Sequence, residues 1–203
     1  MISVLNYGMG NLGSVLNMLK RIGVQAEIVD DPASLSMATK ILLPGVGAFD
    51  NAMKRINESG FREVLDKKAL VEKVPILGIC LGMQLLTRGS EEGVLPGLGW
   101  IAADTIRFPD APGLKVPHMG WNVVKKAKSS PLTADLPPEP RFYFVHSYKV
   151  TCDSEENVLC STDYGTVFHS GIYRDNVLGV QFHPEKSHFF GMKLLENFAL
   201  YER

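Results

Sequence analysis

The sequence predicts an α/β fold: a central, mostly parallel sheet flanked by helices, with antiparallel strands in the second half. Three observations predict it. Short apolar runs alternate with helix-like stretches four times between Ile2 and Thr87, the pattern of right-handed crossovers with helices on both faces of a sheet. The fourth run ends in P-I-L-G-I-C-L-G-M-Q, Pro75 to Gln84, which has the spacing of a strand–turn–helix elbow. From Gly93 onward, glycine and proline punctuate short alternating segments, which read as mixed or antiparallel sheet. A chain of 203 residues is expected to form one domain, residues 1–203.

Ile2 to Tyr7 reads as the first strand. Gly8 and Gly10 allow a tight turn, and Asn11 is placed as a helix N-cap. Leu12, Val15, Leu16 and Leu19 recur at helical spacing, and Gly23 closes that helix. Gln25 to Val29 is the second strand, and Asp30-Asp31-Pro32 opens a short helix. Ile41 to Leu43 is the third strand, ending at Pro44. Ala52 to Ile56 and Phe61 to Leu70 are helical segments broken near Gly60, followed by Lys67, Lys68, Glu72 and Lys73 as a solvated end. Beyond the elbow, Thr105 to Phe108, Trp121 to Val124, Phe142 to Val145, Val158 to Cys160 and Val167 to Tyr173 are strand-like. Arg174-Asp175-Asn176 forms a hairpin turn into Val177 to Phe182. Lys125, Lys126 and Lys128 read as a solvated turn. Ser187 is expected to cap the closing helix, which buries Phe190, Leu194, Leu195 and Phe198.

Lys and Arg number 21 and Asp and Glu 22, for a formal net charge of −1. That balance points to neither nucleic acid nor an anionic membrane surface. The apolar runs are strand-sized, with no transmembrane helix and no secretory leader. The 3 cysteines have neither metal-ligand nor disulfide-framework spacing. Together these features describe a soluble chain of a reducing, cytoplasmic compartment, with Cys152 and Cys160 as bystanders. His118, His146, His169 and His188 show no ligand spacing and are expected to be structural or at the surface. No metal or organic cofactor is indicated. G-M-G-N-L-G fits a dinucleotide fingerprint only by letter, and a turn is the better use for it.

Cys80 is the candidate nucleophile. Small residues two positions to either side, Gly78 and Gly82, let the chain turn sharply from strand to helix. At a helix start, unpaired N–H groups and the dipole favour thiolate. A buried structural cysteine would fit that stretch alone. P-G-V-G-A-F, Pro44 to Phe49, also follows a strand, and such a glycine loop can aim a backbone N–H at a developing oxyanion. An ordinary strand–helix turn would look the same. His183 and Glu185 flank Pro184, which holds the pair extended with both side chains on one side. A carboxylate beside an imidazole, with a cysteine as third member, makes a nucleophile–base–orienter set.

G-I-C-L-G-M-Q at Gly78 to Gln84, F-H-P-E at Phe182 to Glu185 and P-G-V-G at Pro44 to Gly47 resemble the class I (triad) glutamine amidotransferase family over essentially the whole chain. N-Y-G-M-G-N-L-G-S at Asn6 to Ser14, H-M-G-W-N at His118 to Asn122 and Y-F-V-H-S-Y at Tyr143 to Tyr148 are similar to the branch of that family serving a cyclase subunit. The resemblance implies a flavodoxin-like sheet and glutamine as substrate. It implies Cys80, His183 and Glu185 as the triad, and Leu81 with Val46 and Gly47 as the oxyanion site. Gln84, Gly45, Ser147 and Tyr148 are carried over as substrate-binding. It also implies a heterodimer with a cyclase subunit of (βα)8-barrel type that receives ammonia through its interior. Asn11, Asn122, Tyr143 and Lys186 are the candidate interface or gate positions. A class I amidotransferase serving another synthase, and an elbow-cysteine peptidase or deglycase, remain as alternatives.

Overall fold

The computed structural model describes residues 1–202. Its first half consists of strand–helix units. β1 (Ile2–Leu5), β2 (Ala26–Val29), β3 (Ile41–Gly45) and β4 (Ile76–Cys80) are parallel. α1 (Leu12–Arg21), α2 (Pro32–Ser36), α3 (Phe49–Glu58) and α4 (Phe61–Asp66) connect them. The capping residues act as expected: Asn11 Oδ1 accepts from Ser14 N and Asp31 Oδ1 from Ser34 N, each supplying an acceptor that a helix start lacks. β3 runs two residues further than predicted. Proline is tolerated at position 44 because β1 pairs only as far as Leu42, so the missing N–H faces no ladder.

The second half supplies β5 (Ala103–Arg107), β6 (His118–Val123), β7 (Lys125–Lys126), β8 (Arg141–His146) and β9 (Tyr148–Cys152), then β10 (Val158–Asp163), β11 (Val167–Arg174) and β12 (Val177–Val180). The main sheet runs β2-β1-β3-β4-β12-β11-β10-β7, with β9 pairing β11 and β5, while β6 and β8 form a separate ribbon. β12 returns parallel to β4, with Val180 opposite Ile79. It thereby places the His183 segment beside the end of β4. α5 (Leu81–Leu85) follows the elbow, and α6 (His188–Leu200) closes the chain. Two buried apolar clusters cover the two faces of the sheet, one gathering Phe49, Phe61, Leu65 and Trp100, the other Phe142, Phe182, Leu194 and Phe198.

Three local expectations need correction. Lys68 is not solvated: its stem is buried, and its Nζ meets Glu72 Oε2 at 2.7 Å, which keeps the charge paired. Lys125 and Lys126 are not a free turn but a short strand against β10. Ser187 does not cap α6. Its Oγ donates to His183 O at 2.6 Å and accepts from Tyr143 N at 3.0 Å. No helix is long and apolar enough to cross a membrane among the described residues.

Candidate active site

β4 ends in a strained turn. Cys80 sits at φ 55°, ψ −110°, a region that non-glycine residues rarely adopt. The elbow glycines are required by close backbone approach. A Cβ at Gly82 would stand 1.8 Å from Leu43 O, and one at Gly78 2.6 Å from Gly82 O. The turn therefore holds Cys80 at the mouth of the sheet, ahead of the first turn of α5.

Cys80 opens into a cavity of about 370 Å³, lined also by Val46, Gly47, Leu81, Gln84, Glu92, Pro117, Val145, His146, Ser147, Tyr148, His183 and Lys186. The loop after β3, the start of α5, the β8–β9 junction and the segment after β12 thus converge on one space. Ser147 is the single residue between β8 and β9, where the chain leaves the ribbon for the main sheet.

His183 is fixed at three points. Its N donates to Tyr143 O at 2.9 Å, its O accepts from Ser187 Oγ, and its Nδ1 lies 2.7 Å from Glu185 Oε1. The segment is not extended as predicted. Pro184–Lys186 form a 3-10 turn, which still brings the carboxylate under the ring. Burial would lower the His183 pKa, but the neighbouring Cys80 sulfur and the Glu185 carboxylate outweigh it and hold the imidazole above its ordinary value. Nε2 is buried without a hydrogen-bond partner among the described residues, so it is left to exchange a proton with the thiol. The arrangement can carry out nucleophilic attack on a carbonyl carbon with proton transfer through one imidazole.

The other expected positions divide. Gln84 is pinned by its Nε2, which donates to Tyr148 O at 3.3 Å and Gln181 Oε1 at 3.1 Å. Gly45 does not line the cavity. It lies beneath, where a Cβ would come 2.5 Å from Tyr7 Oη and 3.0 Å from Gly82 N, so its smallness serves packing behind the elbow. Gly47 has φ +111°. Lys186 reaches the cavity with its Nζ 5.7 Å from the Tyr143 ring centroid. Asn11 caps α1. Asn122 directs its side chain inward, to His118, Asp163 O and Val123 N.

Sequence reasoning missed the parts played by four residues. Gln181 is fully buried and its Nε2 stands 3.7 Å from Cys80 Sγ. It lies just past the end of β12, two residues before His183, and the expected strand Val177 to Phe182 would have put the two on one face. Glu92 contributes a carboxylate to the cavity wall and accepts from Phe49 N at 2.9 Å. Its place in a turn carried no sequence signal. His118 and His146 are not separate structural residues but neighbours, 3.0 Å apart from Nδ1 to Nε2. No group of three metal-binding side chains occurs among the described residues.

A sequence profile described as glutamine amidotransferase class-I matches residues 3–201. The chain is 54% identical to imidazole glycerol phosphate synthase subunit HisH 2 of Methanococcus maripaludis, over 98% of both chains. It is 48% identical to HisH 2 of Pseudomonas aeruginosa, again over 98% of both. It is 50% identical to HisH of Bdellovibrio bacteriovorus, over 98% of this chain and 99% of that one. Among solved structures, a glutamine amidotransferase superposes with a TM-score of 0.76 at 21% identity, over 97% and 96% of the two chains. PurLQS from Thermotoga maritima superposes with a TM-score of 0.74 at 19% identity, over 98% and 97%. These two likenesses concern the fold alone.

Proposed function

Since the chain belongs to the class I glutamine amidotransferase family, we propose that it is the glutaminase subunit of an imidazole glycerol phosphate synthase in histidine biosynthesis. It would hydrolyse glutamine and pass the ammonia to a cyclase subunit of (βα)8-barrel type. The observation that carries this reading is the conjunction of Cys80 at its strained elbow with the His183–Glu185 pair on one cavity. The HisH relatives give the acceptor pathway its support.

In this reading the Cys80 sulfur attacks the side-chain amide carbon of glutamine. The carbonyl electron pair moves to oxygen, held by backbone N–H groups of Leu81 and of the Val46–Gly47 loop. As the oxyanion collapses, the C–N bond breaks and His183 delivers the thiol proton to the leaving nitrogen, releasing ammonia. A thioester remains. Water, giving a proton to His183, attacks it, and glutamate leaves with the thiol restored. Glu185 orients the imidazole and stabilises its charged form.

The free amino acid also needs its charged ends paired. Glu92, the carboxylate on the cavity wall, suits the α-ammonium, while Ser147 and Tyr148 backbone groups suit the α-carboxylate. Gln84 fixes the floor between them. Ammonia is mostly ammonium at neutral pH and no longer nucleophilic, so transfer through a sealed interface favours the synthesis. Lys186 and Tyr143, which pair at the cavity rim, are the gate positions this reading favours.

The test is glutamate release from glutamine by the purified chain, alone and with a cyclase barrel subunit carrying its ribonucleotide ligand, beside Cys80→Ala. Stimulation by the barrel, abolished in the variant, is expected. Turnover indifferent to the barrel would reject the acceptor, and the absence of turnover in every condition would reject the triad.

A further inference from the structure

We propose that His118 and His146 form a one-directional hydrogen-bond relay of neutral imidazoles that positions the Ser147–Tyr148 wall of the cavity and ties it to Asn122. The direction follows from chemistry at one end. His146 Nδ1 lies 2.7 Å from Tyr148 O. A carbonyl oxygen only accepts, so Nδ1 carries the hydrogen. Burial keeps both rings neutral near pH 7, so His146 Nε2 is an acceptor. His118 Nδ1, 3.0 Å away, is then the donor. Its own Nε2 must accept, and Asn122 Nδ2 supplies the hydrogen at 3.3 Å.

Asn122 is itself fixed at both ends of its amide. Nδ2 donates to Asp163 O at 2.9 Å, and Oδ1 accepts from Val123 N at 2.8 Å. A flipped amide would oppose oxygen to Asp163 O and nitrogen to a donor. Any other tautomer at either ring leaves two donors or two acceptors facing each other. Packing fixes the rings as well. His118 is stacked between Phe144 and Tyr164, with centroids at 4.7 and 3.9 Å, and strand pairing sets His118 opposite His146.

At its inner end the relay meets the active site. Tyr148 O, which His146 holds, also accepts from Gln84 Nε2. Gln84 in turn meets Gln181, and Gln181 meets the Cys80 sulfur. His118 is a positioning residue: it acts through His146 on the backbone that the substrate's charged end would use. The kinetic half of this inference rests on the reading of the cavity as a glutamine site.

Nitrogen-15 NMR of the imidazoles in the full chain, near pH 7.5, reads the relay directly. Both rings are expected as Nδ1–H tautomers, and an Nε2–H or doubly protonated form of either would overturn the proposal. His118→Phe keeps a ring in the stack and removes the donor. Its glutamine KM is expected to rise about five- to tenfold while kcat stays within about twofold. Asn122→Leu, nearer the surface, is expected to raise KM in the same direction by a smaller factor, and it decides the matter if His118→Phe does not fold. Unchanged KM in a folded variant would overturn the positioning role. A wild-type chain that turns over no glutamine would sink the functional reading, and the tautomers would still report on the relay.

Discussion

Glu185 Oε1 sits 2.7 Å from His183 Nδ1 across a single proline, and both side chains are almost completely buried. A buried charge pair of this kind sets the tautomer of the ring as well as its position. Glu185→Gln keeps the shape but can offer an N–H where the imidazole needs an acceptor. Turnover of glutamine is expected to fall by about 10²- to 10⁴-fold with little change in KM. Steady-state kinetics of the folded variant check this, and a loss below tenfold would remove Glu185 from its role.

The strain at Cys80 should be measurable apart from its chemistry. Cys80→Ala keeps a Cβ at positive φ, whereas Cys80→Gly removes it. Both are expected to abolish turnover. The glycine variant should be the more stable of the two by about 1 kcal/mol, or roughly 2–4 °C in melting temperature. Calorimetry of the pair tests it, and equal or reversed melting temperatures would show that the elbow stores no strain.

Gly82→Ala meets a different obstacle. Its Cβ would stand 1.8 Å from a carbonyl oxygen of β3, which belongs to the sheet and cannot swing aside. The variant is expected to lose on the order of 3 kcal/mol of stability, read by urea unfolding. A fold of wild-type stability would mean that the sheet yields more easily than its packing implies.

Gly47 combines a φ of +111° with a place on the cavity wall. Alanine there strains the backbone, and the Met9 methyl that its Cβ would meet at 2.7 Å is the movable end of a flexible side chain. Gly47→Ala is expected to cost roughly 1–3 kcal/mol of stability through that backbone strain and to reduce basal or barrel-stimulated glutaminase activity by about tenfold or more. If both activities survive unchanged, the loop takes no part in holding or gating the oxyanion.

Acid should weaken the fold through the histidine pair. Burial lowers His118 to about 4 and His146 to about 3. The unfolded chain binds protons at both rings below their ordinary value near 6.5, and the folded chain does not until those lower values. The stabilisation is therefore complete above about pH 6.5 and is lost as pH falls, by up to about 1.4 kcal/mol per pH unit for each ring. Urea melts from about pH 6.5, below which the raised His183 is protonated in both states, to about pH 5 should show the decline, and His118→Phe should flatten part of it. A flat curve for the wild type would contradict the burial of neutral imidazoles.

Much of this was legible in the chain. The alternation of apolar runs with helical stretches, Asn11 and Asp31 as caps, the glycines around Cys80 and the His183–Glu185 pair are local signals, each set by neighbours within a few residues. What was not legible depends on partners far apart in sequence. Lys68 reads as solvated until Glu72 and the packing around its stem are seen. Ser187 has the composition of a cap, but Tyr143 N and His183 O claim its hydroxyl. His118 and His146 have no shared spacing because strand pairing, not sequence separation, brings them together. Glu92 reaches the cavity from a turn that nothing in its neighbourhood marks.

The position of β12 beside β4 sets an order of events in biosynthesis. Cys80 leaves the ribosome early, while Gln181, whose side chain lies against its sulfur, and His183 follow more than a hundred residues later. A nascent chain that has already made its elbow therefore carries a thiol without an imidazole to activate it. In the proposed triad the thiol gains its base only once β12 has docked beside β4.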